Sequence, residues 1–227
     1  MADDLTALEG ALGYTFSDPG LLRLALTHRS HPFEAEGGES NERLEFLGDA
    51  VLGLVVADEL FRQFDLPEGA MAKTRAEVVD TVSLARVAAS LDLGEYLILG
   101  PGEDASEGRQ KVSILADAME AVLAAIYVDG GLEPARALIL SRWADLITER
   151  AAAPGVLDYK TRLQEVLAVD GRLAEYQVDG SGPDHERVFA AEVRCGGDVL
   201  GSGRGTSKKR AEQEAARAAL LVLGADA

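Results

Sequence analysis

Residues 41–52 read NERLEFLGDAVL, and the run continues mostly apolar to Phe61. At about 100° per helical residue, Glu42, Glu45 and Asp49 lie within roughly 60° of one another on one side of a helix. Apolar residues occupy the remaining faces. The stretch therefore predicts a helix that is buried nearly all round and that carries its three acids into the interior.

A second stretch, ILADAMEAVLAAIYV at residues 114–128, repeats this pattern. Its only charged residues are Asp117 and Glu120, which share a helix face at the spacing i, i+3. Together the two stretches supply five acids against one nearby base, Arg43, and a buried carboxylate is costly unless it is paired or protonated. Carboxylate oxygens suit hard divalent ions, so we expect a Mg²⁺ or Mn²⁺ site between the two helices. The alternative is a solvated helix face that bears ordinary surface acids.

Composition limits the class of protein. With 227 residues, 47% of them hydrophobic, the chain suits one or two globular domains. Its net charge of −17 argues against a protein that coats polyanions by bulk charge, so any contact with nucleic acid must be local. The single Cys195 favours a reducing compartment, and neither a signal peptide nor an apolar run of membrane-spanning length is evident. We expect a soluble, cytoplasmic protein with no membrane contact.

The charge balance and the hydrophobic periodicity of the sequence change near residue 151. Residues 1–156 hold 12 bases and 27 acids, whereas residues 157–227 hold 10 and 12. The first segment has helical periodicity, with interruptions near residues 32–40, 67–69 and 100–107. The second predicts the order αβββα, with helices near 159–169 and 207–223 and strands near 173–179, 187–195 and 199–203. We predict an all-α domain over residues 1–150, a linker over 151–156 and a small α+β domain over 157–227.

The last predicted helix begins in a basic cluster, RGTSKKR at residues 204–210. Cations at a helix N-terminus oppose the macrodipole, and a phosphate ligand would resolve this conflict. The alternative is a solvated charge run. The glycine-rich GSGRGT at residues 201–206 lacks the lysine of a phosphate-cradling loop, so no nucleotide cofactor is expected.

The dodecamer NERLEFLGDAVL closely resembles the signature of bacterial ribonuclease III. Further similarity lies in LALTHRS at residues 24–30, PEG at 67–69, ILADAMEAVLAAIYVDGG from residue 114, and residues 157–225, which resemble a double-stranded-RNA-binding domain. The resemblance implies a homodimeric endoribonuclease that cuts both strands of an RNA duplex, in rRNA and mRNA processing. The expected products carry 5′-phosphate and 3′-hydroxyl ends with a short 3′ overhang.

The resemblance also implies roles for individual acids. Glu45, Asp49, Asp117 and Glu120 are expected to ligate catalytic Mg²⁺, with Mn²⁺ as a substitute. Glu42 and Glu68 are the additional acids expected to line the cleavage valley, while Phe46 is the aromatic expected to pack across the dimer interface. For Glu68 a second interpretation stays open, an acid that complements the dipole at a helix start.

In the second domain, the resemblance implies contacts with duplex RNA, which such domains recognise by its A-form shape. The expected contacts are Thr161, Gln164, Glu165, His185, Ser207, Lys208 and Lys209. At Ala168, one turn after Glu165, the sequence departs from some relatives, which present a polar side chain toward the RNA groove at that position. Ala168 cannot supply such a contact from the first helix.

Two other functions fit parts of the sequence. One is a non-cleaving double-stranded-RNA-binding regulator, which the full set of acids disfavours. The other is a helical, metal-dependent nucleotide pyrophosphohydrolase, which would have no use for residues 157–225.

Overall fold

The computed structural model describes residues 5–31, 38–155, 158–182 and 187–225. The chain divides into two compact units, Met1–Pro154 and Gly155–Ala227, each with its own hydrophobic core. In the described part of the chain, no helix has the length and apolarity needed to cross a lipid bilayer.

The first unit is helical, as predicted. Its helices are α1 (Thr6–Leu12), α2 (Pro19–Ala25), α3 (Glu42–Gln63), α4 (Glu68–Val78), α5 (Thr81–Ser90), α6 (Leu93–Tyr96), α7 (Pro101–Ala105), α8 (Val112–Gly130) and α9 (Leu132–Ala152). Over the described ranges, its only β-type pairing is an isolated parallel bridge between Thr27 and Ile98. Because alanine favours helix, α9 continues through Ala152, two residues into the predicted linker.

Helix α8 lies at the centre of this unit. The apolar side chains of its central turns, among them Met119, Leu123 and Ile126, are fully buried. Helix α3 packs across it at Gly48, where a Cβ atom would lie only 1.9 Å from the backbone oxygen of Glu120. Only glycine permits this close approach, which brings the acidic parts of the two helices together.

The prediction that α3 is buried nearly all round is wrong. Leu52, Val55 and Val56 are buried on one side, but Phe46 and Phe61 are 83% and 75% exposed. The cause is that α8 covers one side of α3, and no described element of the first unit covers the opposite apolar side.

The second unit confirms the order αβββα. It consists of α10 (Tyr159–Ala168), β1 (Glu175–Ser181), β2 (Val188–Cys195), β3 (Asp198–Gly205) and α11 (Lys208–Val222). The strands form an antiparallel sheet in the order β1-β2-β3, with a register shift between Val193 and Arg194. Its core is formed by Leu163 and Leu167 of α10, the inner face of the sheet and an alanine-rich face of α11.

Candidate active site and RNA-binding surface

Three of the predicted acids converge where α3 and α8 meet. Glu45 of α3 and Asp117 and Glu120 of α8 each place one carboxylate oxygen within 4.8 Å of the others. We call these three residues the acidic cluster. The i, i+3 spacing in α8 puts two of the carboxylates on the side of that helix that meets Glu45.

Glu42 and Asp49, the two other acids that the sequence analysis placed beside Glu45, flank this cluster. Asp49 lies one turn beyond Glu45 and acts electrostatically on Glu120, while Glu42 begins the helix and acts on Glu45. Both flanking residues are exposed, and the cluster itself is half-buried. The expectation that the acids enter the interior is therefore wrong for Glu42 and Asp49 and only partly met for the cluster, because the acids lie along one margin of the contact between the two helices.

The cluster carries unbalanced negative charge. Burial, together with repulsion from three neighbouring carboxylates, raises the pKa of Glu120 to about 8. Burial also raises the pKa of Glu45 and of Asp117. Near neutral pH the metal-free chain thus retains a proton on Glu120.

These properties fit a hard divalent cation. The donor set consists of carboxylate oxygens from two helices whose separation is fixed by the Gly48 contact. A divalent ion would offset the repulsion that raises these pKa values. Glu45, Asp117 and Glu120 are the residues that could hold it, with Asp49 beside them.

Sequence reasoning missed the base that faces these acids. Arg43 is 91% exposed and pairs with Glu39 at 3.7 Å. Instead, Nη1 of Arg29 lies 3.4 Å from Oε1 of Glu42. The charge of Arg29 offsets part of the rise in the pKa of Glu45, and together with His28 it offsets part of the rise for Asp117. Arg29 lies in a turn outside any helical repeat, so periodicity offers no signal for its position.

Glu68 is not part of the acidic cluster in this chain. It is the first residue of α4, directly after Pro67, and is exposed. With Phe61, Met71 and Arg75 it lines a cavity of about 320 Å³. Its position suits an acid at a helix start, and the valley-lining role stays a prediction.

Phe46 belongs to an exposed apolar stripe on α3. Leu54 and Phe61 follow it at spacings of eight and seven residues, which place the three side chains on one side of the helix. We call Phe46, Leu54 and Phe61 the α3 stripe. Large exposed apolar surfaces of this kind are typical of protein contacts.

In the second unit, Ser207, Lys208 and Lys209 lie at the start of α11. Ser207 is the N-cap, and its Oγ accepts a hydrogen bond from the backbone N–H of Arg210 at 3.2 Å. Both lysine side chains are exposed. The Ser207 hydroxyl proton remains able to donate to an anion, so capping and phosphate contact are compatible.

Three predicted RNA contacts lie together on α10. Thr161, Gln164 and Glu165 line a cavity of about 470 Å³ beside Tyr176. Gln164 also holds the loop that leads to β1, because its Nε2 donates to the Arg172 carbonyl at 3.2 Å and its Oε1 accepts from the backbone N–H of Ala174 at 3.0 Å. This structural role was not foreseen. The predicted contact His185 lies outside the described residues.

A basic groove of about 660 Å³ lies between β3 and α11, and the sequence analysis did not single it out. Arg204, Arg210 and Arg217 line it together with Glu214. On α11 this groove lies on a different side from Lys208, since Arg210 and Arg217 are seven residues apart and Lys208 is about 160° away from Arg210.

Comparison with known proteins gives the same two-part division. Residues 18–146 match a family model described as ribonuclease-III-like, and residues 159–223 match the double-stranded RNA binding motif. Ribonuclease 3 from Streptomyces coelicolor is 50% identical over 220 residues, covering 96% of this chain and 79% of the relative. Ribonuclease 3 from Caldanaerobacter subterraneus subsp. tengcongensis is 49% identical over 224 residues, covering 97% of this chain and 98% of the relative.

A solved structure agrees for the first unit. The nuclease domain of ribonuclease III from Campylobacter jejuni is 42% identical with a TM-score of 0.58, covering 64% of this chain and 97% of that one. The fold and the acidic cluster thus define a helical endoribonuclease with an attached RNA-binding unit. The chain belongs to the ribonuclease III family, whose members are metal-dependent nucleases.

Proposed function

We propose that this protein is a Mg²⁺-dependent endoribonuclease that hydrolyses both strands of double-stranded RNA. The expected products have 5′-phosphate and 3′-hydroxyl ends and a short 3′ overhang, and the expected cellular role is rRNA and mRNA processing. The observation that carries the proposal is the convergence of Glu45, Asp117 and Glu120 from two helices in a chain that also has a double-stranded RNA binding motif.

In this proposal, Glu45, Asp49, Asp117 and Glu120 hold Mg²⁺, and Mn²⁺ substitutes for it. The bound ion would polarise the phosphodiester and lower the pKa of a water molecule. The chain contributes the positions of the carboxylates, which the backbone contact at Gly48 sets. Glu42 lies at the mouth of the cluster, where it orients Arg29 through their ion pair.

A homodimer explains the α3 stripe, because a second copy of the chain would cover these exposed apolar side chains. The nuclease domain from Campylobacter jejuni likewise has a structurally flexible region that is involved in dimer formation. Phe46 and Phe61 lie near opposite ends of the stripe. If two copies of α3 pack antiparallel about a twofold axis, Glu68, which adjoins Phe61, approaches the acidic cluster of the other copy.

The second unit would hold the duplex while the first cleaves it. Lys208 and Lys209 would contact phosphates, with Ser207 beside them at the helix start. Thr161, Gln164, Glu165 and His185 complete the proposed contacts with the grooves. An RNA substrate and a single cysteine favour the cytoplasm as the site of action.

A denaturing gel tests the proposal directly. A long, end-labelled RNA duplex is incubated with the full chain in Mg²⁺ or in chelator, and a single-stranded RNA of the same length is the matched substrate control. The proposal is supported if short fragments form from the duplex in Mg²⁺ but form neither in chelator nor from the single-stranded control. A gel shift of the duplex without fragments, at Mg²⁺ and Mn²⁺ concentrations up to several millimolar, would instead support the non-cleaving regulator.

A further inference from the structure

The turn after α2 holds an arginine at the mouth of the acidic cluster. The side chain of Arg29 is 68% exposed, and Glu42 is its ion-pair partner, with Nη1 to Oε1 at 3.4 Å. An exposed pair of this length contributes little to stability. The position of Arg29 is therefore not explained by stabilisation of the fold.

The backbone before Arg29 is tightly fixed. The His28 N–H donates to the Ile98 carbonyl at 3.0 Å, and the Ile98 N–H donates to the Leu26 carbonyl at 2.9 Å. The Asn41 N–H donates to the Thr27 carbonyl at 2.9 Å, which ties the same turn to the start of α3. These bonds fix the turn relative to the helix that bears Glu45.

The backbone after Arg29 is equally constrained. Ser30 Oγ lies 2.9 Å from Nδ1 of the buried His28 and accepts a hydrogen bond from the Gly100 N–H at 2.9 Å. A Cβ atom on Gly100 would lie 2.0 Å from the Ser30 carbonyl oxygen, so the two backbone segments touch. The Arg29 side chain thus extends into solvent from a backbone segment that is held in place on both sides.

The carboxylates of a nuclease active site repel the phosphates of its RNA substrate, and the positive charge of Arg29 can offset part of this repulsion. Phosphates flanking the cleaved bond must approach a face that bears at least five carboxylates. A guanidinium matches phosphate geometry with two parallel N–H donors, and such bonds are stronger than an exposed pair with Glu42. We propose that Arg29 exchanges Glu42 for a phosphate oxygen of the RNA next to the cleaved phosphodiester. Arg29 is thus a substrate-positioning residue of the proposed reaction, on which this inference rests.

The first test is single-turnover cleavage of a duplex by the full chain, with enzyme in excess and saturating Mg²⁺. Arg29→Gln should lower the maximal rate by about 10- to 100-fold, the effect of one charge-assisted hydrogen bond. The enzyme concentration at half-maximal rate should change little, because the proposed RNA contacts of the second unit are unaltered. The maximal rate of Arg29→Lys should lie between those of the wild type and Arg29→Gln. Arg43→Gln removes the same charge from a neighbouring exposed site and should match the wild type.

The second test distinguishes phosphate contact from a purely structural role. Single phosphorothioate substitutions are placed at each phosphate flanking the cleaved bond. One position should slow the wild type, and that effect should disappear in Arg29→Gln because the contact is already absent. Identical interference patterns in both proteins would overturn the proposal. So would wild-type rates for Arg29→Gln, or full recovery of that variant on raising the Mn²⁺ concentration. A wild type that leaves the duplex intact would refute the proposed nuclease activity itself.

Discussion

Replacing Glu120 with glutamine should abolish cleavage and yet stabilise the metal-free first unit. The raised pKa of Glu120 means that the folded chain binds a proton more tightly than the unfolded chain does. Stability from this group is therefore complete below pH 4.5 and is lost as the pH rises to about 8. Glutamine has the shape of the protonated acid and carries no charge at any pH, so Glu120→Gln avoids this loss.

The size of the effect follows from the pKa. A rise from 4.5 to about 8 corresponds to about 5 kcal/mol if it is taken in full. Because Glu120 is only half-buried and water screens its charge, we expect about 2 kcal/mol at pH 9 and about half of that at pH 5.

Urea unfolding in chelator provides the measurement. Trp143 is the single tryptophan of the chain and is fully buried in the first unit, so its fluorescence reports on that unit alone. The matched control is Glu149→Gln, an exposed glutamate on α9, which should show no growing advantage between pH 5 and pH 9. Addition of Mn²⁺ should reverse the order, because only the wild type retains the full set of ligands. An advantage of Glu120→Gln that is absent, or that is constant across this pH range, would refute the reasoning.

Three further predictions concern other parts of the molecule. Gly48→Ala should destabilise the first unit by about 3 kcal/mol in the same urea assay, because the new Cβ meets the Glu120 backbone, whereas Gly10→Ala has open space and should cost nothing; equal effects would contradict the close-approach argument. Phe46→Gln should shift the chain from dimer toward monomer in sedimentation velocity, and an unchanged dimer would remove the α3 stripe from the interface. Combined Lys208→Ala and Lys209→Ala should reduce the slope of log affinity for duplex RNA against log salt by about 2, and an unaltered slope would exclude their phosphate contacts.

The acidic cluster was predictable because its signal is local. Asp117 and Glu120 are the only charged residues in the apolar stretch 114–128, and Glu45 lies with Glu42 and Asp49 on one side of a second, largely apolar stretch. Helical periodicity places each carboxylate on a definite face, and the cost of burying charge indicates that the faces meet. The αβββα order of the second unit was predictable for a similar reason, since the hydrophobic period changes from helical to alternating.

Other features depend on contacts that periodicity cannot reveal. The exposure of Phe61 was not foreseen, because an apolar helix face shows that a partner is required without showing whether that partner belongs to the same chain. For Phe46, a partner in a second chain was implied by the family resemblance and not by periodicity. The position of Arg29 was not predicted, because a turn between α2 and α3 has no hydrophobic periodicity from which the direction of its side chains could be inferred. The double hydrogen bond of Gln164 depends on how the loop to β1 folds back, which no spacing within α10 encodes.

Because Gly48 has no side chain, the backbones of α3 and α8 are in direct contact there, and this contact sets the minimum distance between the two helices. Core residues elsewhere can be exchanged and repacked without altering that distance, because no side chain there acts as a spacer. In the proposed metal site, ions of different radius would then be accommodated by rotation of the glutamate and aspartate side chains, while the helices keep their separation.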